Sequence, residues 1–281
     1  LDRSVFFDLA CENFDEKNGE EKKQDVRQSS SENLRIQRGE DELHGRYSVF
    51  FCEPIWQMRE DRFFEVREKL SEELNFFLSE ALRNDPKKEK TLLVAGLGNP
   101  KMTADALGAE VVDRIEITRK MGESDEGHWS ICAVSIGVLG TTGIETFEHL
   151  DALCSYLQPS VVVAVDALSA KSQARVGAAI QISSGGISPG GGVGNPQKRV
   201  SEKTLGVPVV SLGVPTVVRS SIIVREAIES LGVALTAEEQ KILSQDPYYL
   251  MPKESDLLLK SAALLLSSAI RRACDFFGQS F

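Results

Sequence analysis

Two aspartates stand where reactive groups tend to collect. Asp105 opens a helical pattern after the apolar run Thr91–Ala95 and the turn Gly96-Leu97-Gly98-Asn99-Pro100, and Asp166 directly follows the run Val161–Val165. In open parallel sheets the carboxyl ends of the strands leave a crevice where the strand order reverses, and functional side chains gather there. Carboxylates from two strand ends are therefore aimed at one edge. Close together they cannot both ionise cheaply, so one keeps a proton while the other stays charged. Such a pair can take a proton from water and give one to a leaving amine, the division of labour that hydrolyses an amide without metal or covalent nucleophile. Spacing alone leaves other roles open. An Asp in a first helical turn interacts favourably with the helix dipole, and one at a strand end organises a turn.

Two glycine-rich segments accompany the aspartates. Gly96-Leu97-Gly98 has the opening of a dinucleotide fingerprint, but the third glycine position falls on Lys101, which weakens a nucleotide reading. The run from Gly185 through Gly186, Gly190, Gly191, Gly192 and Gly194 to Asn195 is denser than a turn needs. Backbone that bare lets a peptide or anion approach closely, or else serves as a flexible surface loop. Gly98, Asn99, Gly190, Gly191, Gly192, Gly194 and Asn195 are the expected substrate-binding residues. His44, His128 and His149 make no Ser-His or Cys-His partnership that would activate a nucleophile. Cys132 in a strand run and Cys154 on a helical stripe read as core. Neither a metal nor a cofactor is expected.

The elements that must hold these residues follow from periodicity. Thr91–Ala95, Ile131–Ile136, Ser160–Val165 and Val207–Leu212 are near-continuous apolar runs, as strands covered on both faces require, and Ala178–Ile182 adds a candidate strand. Between them Leu107, Val111 and Ile115 make one helical stripe, and Phe147, Leu150, Cys154 and Leu157 another. Apolar steps of three and four predict a helix over Arg62–Arg83, and a closing helix spans Ser255–Phe277. Alternating strands and helices imply an α/β fold with a doubly covered, mostly parallel sheet. Residues 12–48 are charged and serine-rich, and are expected to be solvated and partly mobile. The chain thus divides into an N-terminal segment, 1–61, and an α/β domain, 62–281.

Composition narrows the partners. The 281 residues are 42% hydrophobic and 26% charged, typical of a globular protein able to bury a core. Lys and Arg number 32 against 42 Asp and Glu, and the net charge of −10 disfavours nucleic acid and anionic membrane as ligands. Five scattered cysteines without a Cys-x-x-Cys pair point to a reducing, cytoplasmic setting. Leu257–Ile270 is too short and interrupted to span a bilayer, and Leu1–Cys11 lacks the order of a signal peptide. A first residue of Leu instead of Met implies that something upstream has been removed.

Longer blocks carry a resemblance. Gly96-Leu97-Gly98-Asn99, Thr103-Ala104-Asp105-Ala106-Leu107-Gly108, Gly140-Thr141-Thr142-Gly143-Ile144-Glu145-Thr146, Val165-Asp166-Ala167-Leu168-Ser169, Thr204-Leu205-Gly206-Val207-Pro208-Val209 and Gly213-Val214-Pro215-Thr216-Val217-Val218 resemble, in order, the germination protease (spore protease) family. The resemblance implies an atypical aspartic-type endopeptidase that degrades small acid-soluble spore proteins, on a fold similar to the hydrogenase-maturation proteases. It implies a zymogen that loses a propeptide, a homotetramer, and residence in the spore core or forespore. The family's two proposed catalytic aspartates match Asp105 and Asp166. This chain departs from the family pattern at Ser184, where an Asp is usual, and at Ser188, where a His is usual. Other readings stay open: a metal-assisted peptidase using the aspartates and Glu145, a catalytically degenerate peptide-binding paralogue, or a peptidyl-tRNA hydrolase, whose histidine is missing after Asn99-Pro100.

Overall fold

The structure, a computed structural model, describes residues 9–12, 34–83, 90–119, 129–191, 197–245 and 247–277. In chain order its elements are β1 (Arg35–Asp41), β2 (Gly45–Phe51), α1 (Glu60–Ala81), β3 (Lys90–Gly96), α2 (Leu107–Val112), β4 (Trp129–Ser135), α3 (Leu139–Thr142) and α4 (Thr146–Leu157). There follow β5 (Val161–Ala170), β6 (Ala179–Ser183), α5 (Glu202–Leu205), β7 (Val209–Arg219), α6 (Ser220–Ser230), α7 (Ala237–Leu243), β8 (Tyr249–Leu250) and α8 (Ser255–Phe277).

The strands form one sheet in the order β1-β2-β6-β7-β5-β3-β4, with β8 paired to the end of β7. β7, β5, β3 and β4 are parallel, as the alternation of strands with helices predicts. The rest of the sheet is not. β6 runs antiparallel to β7, β2 to β6 and β1 to β2, so the sheet is mixed where a mostly parallel one was expected. The connection from β5 to β6 spans few residues, too few for the helical crossover a parallel pair requires.

Side-chain alternation sorts the sheet into two faces. Leu92, Val94, Val163 and Val165 join α1, α2 and α8 in one core, to which α1 contributes Val66, Leu70, Leu74 and Leu78. Leu93, Ala95, Val162 and Ala164 face Leu150 and Cys154 of α4 and Leu205 of α5. With both faces covered, β5 loses the polar–apolar alternation of a half-exposed strand, and nine of its ten residues are buried. α4 starts in a reciprocal capping box between Glu145 and Glu148, so Glu145 is committed to a helix end. No helix among the described residues is long and apolar enough to cross a membrane.

The stretch expected to be solvated is corrected over 34–48. Leu34, Ile36, Tyr47, Val49 and Phe50 are buried, and the β1–β2 hairpin extends the same sheet. Its charged residues obscured a short alternation: Arg35 is exposed, Ile36 buried, and Glu40 exposed beside the turn. Asp41 closes that turn by accepting from the Leu43 and His44 amides at 2.7 and 2.6 Å and from His44 Nδ1 at 2.9 Å. Burial opposes the Asp41 carboxylate, but these donors together hold its pKa below the ordinary value. The rest of the expected mobile stretch, 13–33, lies outside the described residues. If the hairpin belongs to the core, Phe50→Ala will destabilise the protein by about 3–5 kcal/mol, the usual cost of emptying a buried aromatic site, read as a lower urea midpoint.

Candidate active site

The aspartates are held by the end of β3. Gly96 lies under α2 so closely that a Cβ there would stand 2.1 Å from Gly108 O, and one on Gly108 would stand 2.3 Å from Leu97 N. Helix and strand therefore touch backbone to backbone. Between them the chain turns through Gly98, whose φ of +102° is a region that residues with a Cβ rarely enter. A Cβ on Gly98 would also meet Asp105 O at 2.1 Å and Asp105 Oδ1 at 2.9 Å. Asp105 is the last residue of a 3-10 turn, Thr103–Asp105, one step ahead of the helix proper. Thr216 Oγ1 of β7 pins this turn by donating to Ala104 O at 2.7 Å.

Asp166 does not end its strand. β5 continues to Ala170, still paired with β7, whereas the pairing with β3 stops at Gly96 opposite Val165. Asp166 is thus the first residue of β5 beyond the end of its neighbour, which is the crevice that strand-order reversal creates. By alternation it shares the face of Val162 and Ala164. On β7 its register partner is Gly213, and Gly213 pairs in turn with Gln181 of β6. Asp166 is 7% exposed, and its Oδ1 accepts from the Ala167 amide at 2.9 Å.

The loop of Leu97, Gly98 and Asn99 links the two acids. Leu97 N donates to Val165 O at 2.8 Å, next to Asp166, and Asn99 N donates to Asp105 Oδ2 at 2.7 Å. Burial raises the Asp105 pKa above its ordinary value, and the Asn99 amide opposes the shift. The amide of Asn99, an expected substrate-binding residue, and that of Leu97 are thereby engaged within the protein. Asn99 Oδ1 accepts from Lys101 N at 3.0 Å, so the side chain of this expected binding residue serves the local turn.

The second glycine segment leaves the sheet from the opposite edge. β6 runs antiparallel, so residues after Ser183 emerge where the parallel strands begin. The chain then returns across the face that carries Asp166. Ile187 and Val200 exchange two backbone hydrogen bonds of 2.8 Å, Val200 is fully buried against that face, and Gln197 N donates to Pro189 O at 3.0 Å. At the far end Thr146 N, in the first turn of α4, lies 3.4 Å from Gln197 Oε1. Gly190, with φ of +71°, and Gly191 lie on this returning segment, whereas Gly192, Gly194 and Asn195 fall outside the described residues. Ser184 and Ser188, the departures from the resemblance, have structural partners. Ser184 Oγ accepts from Arg46 N at 3.0 Å, and Ser188 Oγ accepts from Arg199 Nη1 at 3.0 Å. Sequence spacing offered no signal for Arg199 or Thr216, which act mainly through main-chain carbonyls.

Other features lie apart from the acids. A groove of about 910 Å³ opens at the other edge of the sheet, lined by Arg46, Phe76, Glu80, Gln158 and Glu202 among others, and contains neither aspartate. His44 is bound to Asp41, and His128 lies outside the described residues. Among the described residues no three His, Cys, Asp or Glu side chains gather where they could hold one metal ion.

Comparison with known proteins finds one family. A family profile described as germination protease matches residues 9–246. A germination protease of Clostridium acetobutylicum is 35% identical, the match taking in 74% of this chain and 72% of that one. One from Caldanaerobacter subterraneus subsp. tengcongensis is 37% identical, with 76% and 74% covered, and one from Clostridium tetani is 39% identical, with 65% and 66% covered.

The raised pKa of Asp105 carries a stability consequence. Between the unfolded value, about 3.9, and the higher folded value, the native state binds more protons than the unfolded one, so stability falls as pH rises. Asp105→Asn cannot ionise and escapes that loss. Thermal unfolding of the variant and the wild type will diverge in favour of the variant as pH rises through this window and then run parallel.

Proposed function

The chain belongs to the germination protease family, and on that premise we propose that Asp105 and Asp166 are the acid–base pair with which it cleaves peptide bonds. As a member it is a peptidase of spore germination, a hydrolase. The observation that carries the assignment is the short link between the acids. Only Gly98 lies between Leu97, which donates to Val165, and Asn99, which donates to Asp105.

The direction of the Asp105 shift favours it as the partner that keeps the proton and delivers it to the leaving amine. Asp166 is then the charged partner that draws a proton from water as that water attacks the scissile carbonyl. Since the amides of Leu97 and Asn99 are engaged, main-chain recognition of the peptide is left to Gly98 and to the second glycine segment, with Gly190 and Gly191 on its described part. Small acid-soluble spore proteins are the proposed substrates, and the spore core or forespore the proposed setting. We assign the likeness to hydrogenase-maturation proteases to the parallel part of the sheet, β7-β5-β3-β4. Zymogen processing and a homotetramer belong to the same reading.

Asp105→Asn and Asp166→Asn will each lower kcat on a purified small acid-soluble spore protein by about 10²–10⁴-fold, the range typical of a lost general acid or base. Chelator will leave the wild-type rate unchanged. The alkaline limb of kcat/KM will lie above the ordinary aspartate value of about 3.9, because that limb reports the proton on Asp105. Near-wild-type rates in both variants with chelator present would overturn the pair.

A further inference from the structure

We infer that Arg199 sets the position of the second glycine segment, over its described part Gly185–Gly191, and is a positioning residue for peptide binding on the face that carries Asp166. The inference rests on the peptidase reading above and adds a residue that the acid pair does not require.

Arg199 precedes Val200, the buried residue that fastens the returning strand of the segment to Ile187. Its guanidinium reaches back across the stem. Nε and Nη2 donate to Gly185 O at 3.1 and 2.8 Å, Nη2 lies 3.2 Å from Gly186 O, and Nη1 donates to Ser188 Oγ at 3.0 Å. Nη2 also donates to Leu43 O in the turn of the β1–β2 hairpin. One side chain thereby ties the hairpin turn, the Gly185–Gly186 main chain and the Ser188 hydroxyl together.

The segment depends on such a tie because its own residues restrict it little. Gly186 and Gly190 have φ of +78° and +71°, and a Cβ on Gly185 would stand 2.3 Å from His44 C. The backbone reaches the hairpin turn only because side chains are missing, and glycine contributes no rotamer packing to keep it there. Carbonyls brought together in this way need donors, since an unmade hydrogen bond away from water is costly. A planar fork with five N–H groups serves carbonyls on two sides at once, whereas a lysine ammonium offers donors from a single point. Desolvation lowers the Arg199 pKa, and the nearby Asp41 carboxylate opposes the shift. Ser188 is the last residue of the segment that Arg199 holds, two positions before Gly190, so the hold sets where the peptide-facing glycines begin.

The test is steady-state cleavage of a small acid-soluble spore protein by Arg199→Lys and Ser188→Ala, with hydrogen exchange on both. Arg199→Lys is expected to raise KM at least tenfold, leave kcat within twofold and leave the pH profile of kcat/KM in place, with faster exchange confined to 185–191. Ser188→Ala, which removes one of the partners, is expected to shift KM in the same direction by less. The same weakening is expected as a rise in Kd for the uncleaved spore protein when Arg199→Lys is combined with Asp166→Asn, so binding is read whether or not cleavage occurs. Unchanged KM and Kd in Arg199→Lys overturn the inference, as does exchange that rises equally in β3, β5 and the glycine segment. Full activity in Asp105→Asn and Asp166→Asn would instead remove the acid pair and leave an Arg199 effect on binding standing.

Discussion

The carboxyl edge of the sheet depends on the backbone contact between β3 and α2. Gly96 and Gly108 meet with no side chain between them, which lowers the helix onto the strand end and places the turn before it against Gly98. Asp105 takes its position from that descent, and Asn99 N fixes the direction of its carboxylate. The strand end meanwhile stops pairing with β5 one residue before Asp166. A single close approach thus brings one acid to the edge and leaves the other beyond the last β3 pair. A methyl group at Gly96 or Gly108 would lift the helix away, and the 3-10 turn would follow it.

Much of this was legible in the residues. Continuous apolar runs mark β3, β4, β5 and β7 because strands covered on both faces have no need of alternation, and their ends nominate Asp105 and Asp166. Helical stripes mark α1, α4 and α8 to within a few residues. The mixed half of the sheet was hidden for a physical reason. β1 and β2 are short, and the first carries charge on its exposed positions, so Ile36 sits among residues whose composition resembles a solvated tail. Strand direction cannot be read from an apolar run such as Ala179–Ser183, because parallel and antiparallel neighbours bury the same side chains.

The site was less legible than the fold. Spacing could not reveal that the second glycine segment starts at the far edge and doubles back, since that follows from the direction of β6. Nor could it reveal that Leu97 and Asn99 use their amides inside the protein, which removes two donors that the motif alone makes available. Arg199 and Thr216 bind main-chain oxygen, which every residue type presents, so no pattern of letters announces them. The stability cost of burying Asp105 is likewise a property of its surroundings, and an identical letter on an open turn would not bear it.

The pairing of β2 with β6 has a consequence for how the polypeptide is made. Tyr47, Val49 and Phe50 lie on a strand whose inner partner, Ala179–Ser183, is made roughly 130 residues later, and synthesis at about 5–20 residues per second leaves the hairpin waiting on the order of ten seconds for that partner. For that interval a greasy ribbon with an open flank hangs from the ribosome. Contacts so distant along the chain also form slowly once both partners are present. The nascent hairpin is therefore where crowding, chaperones and premature association compete for this protein.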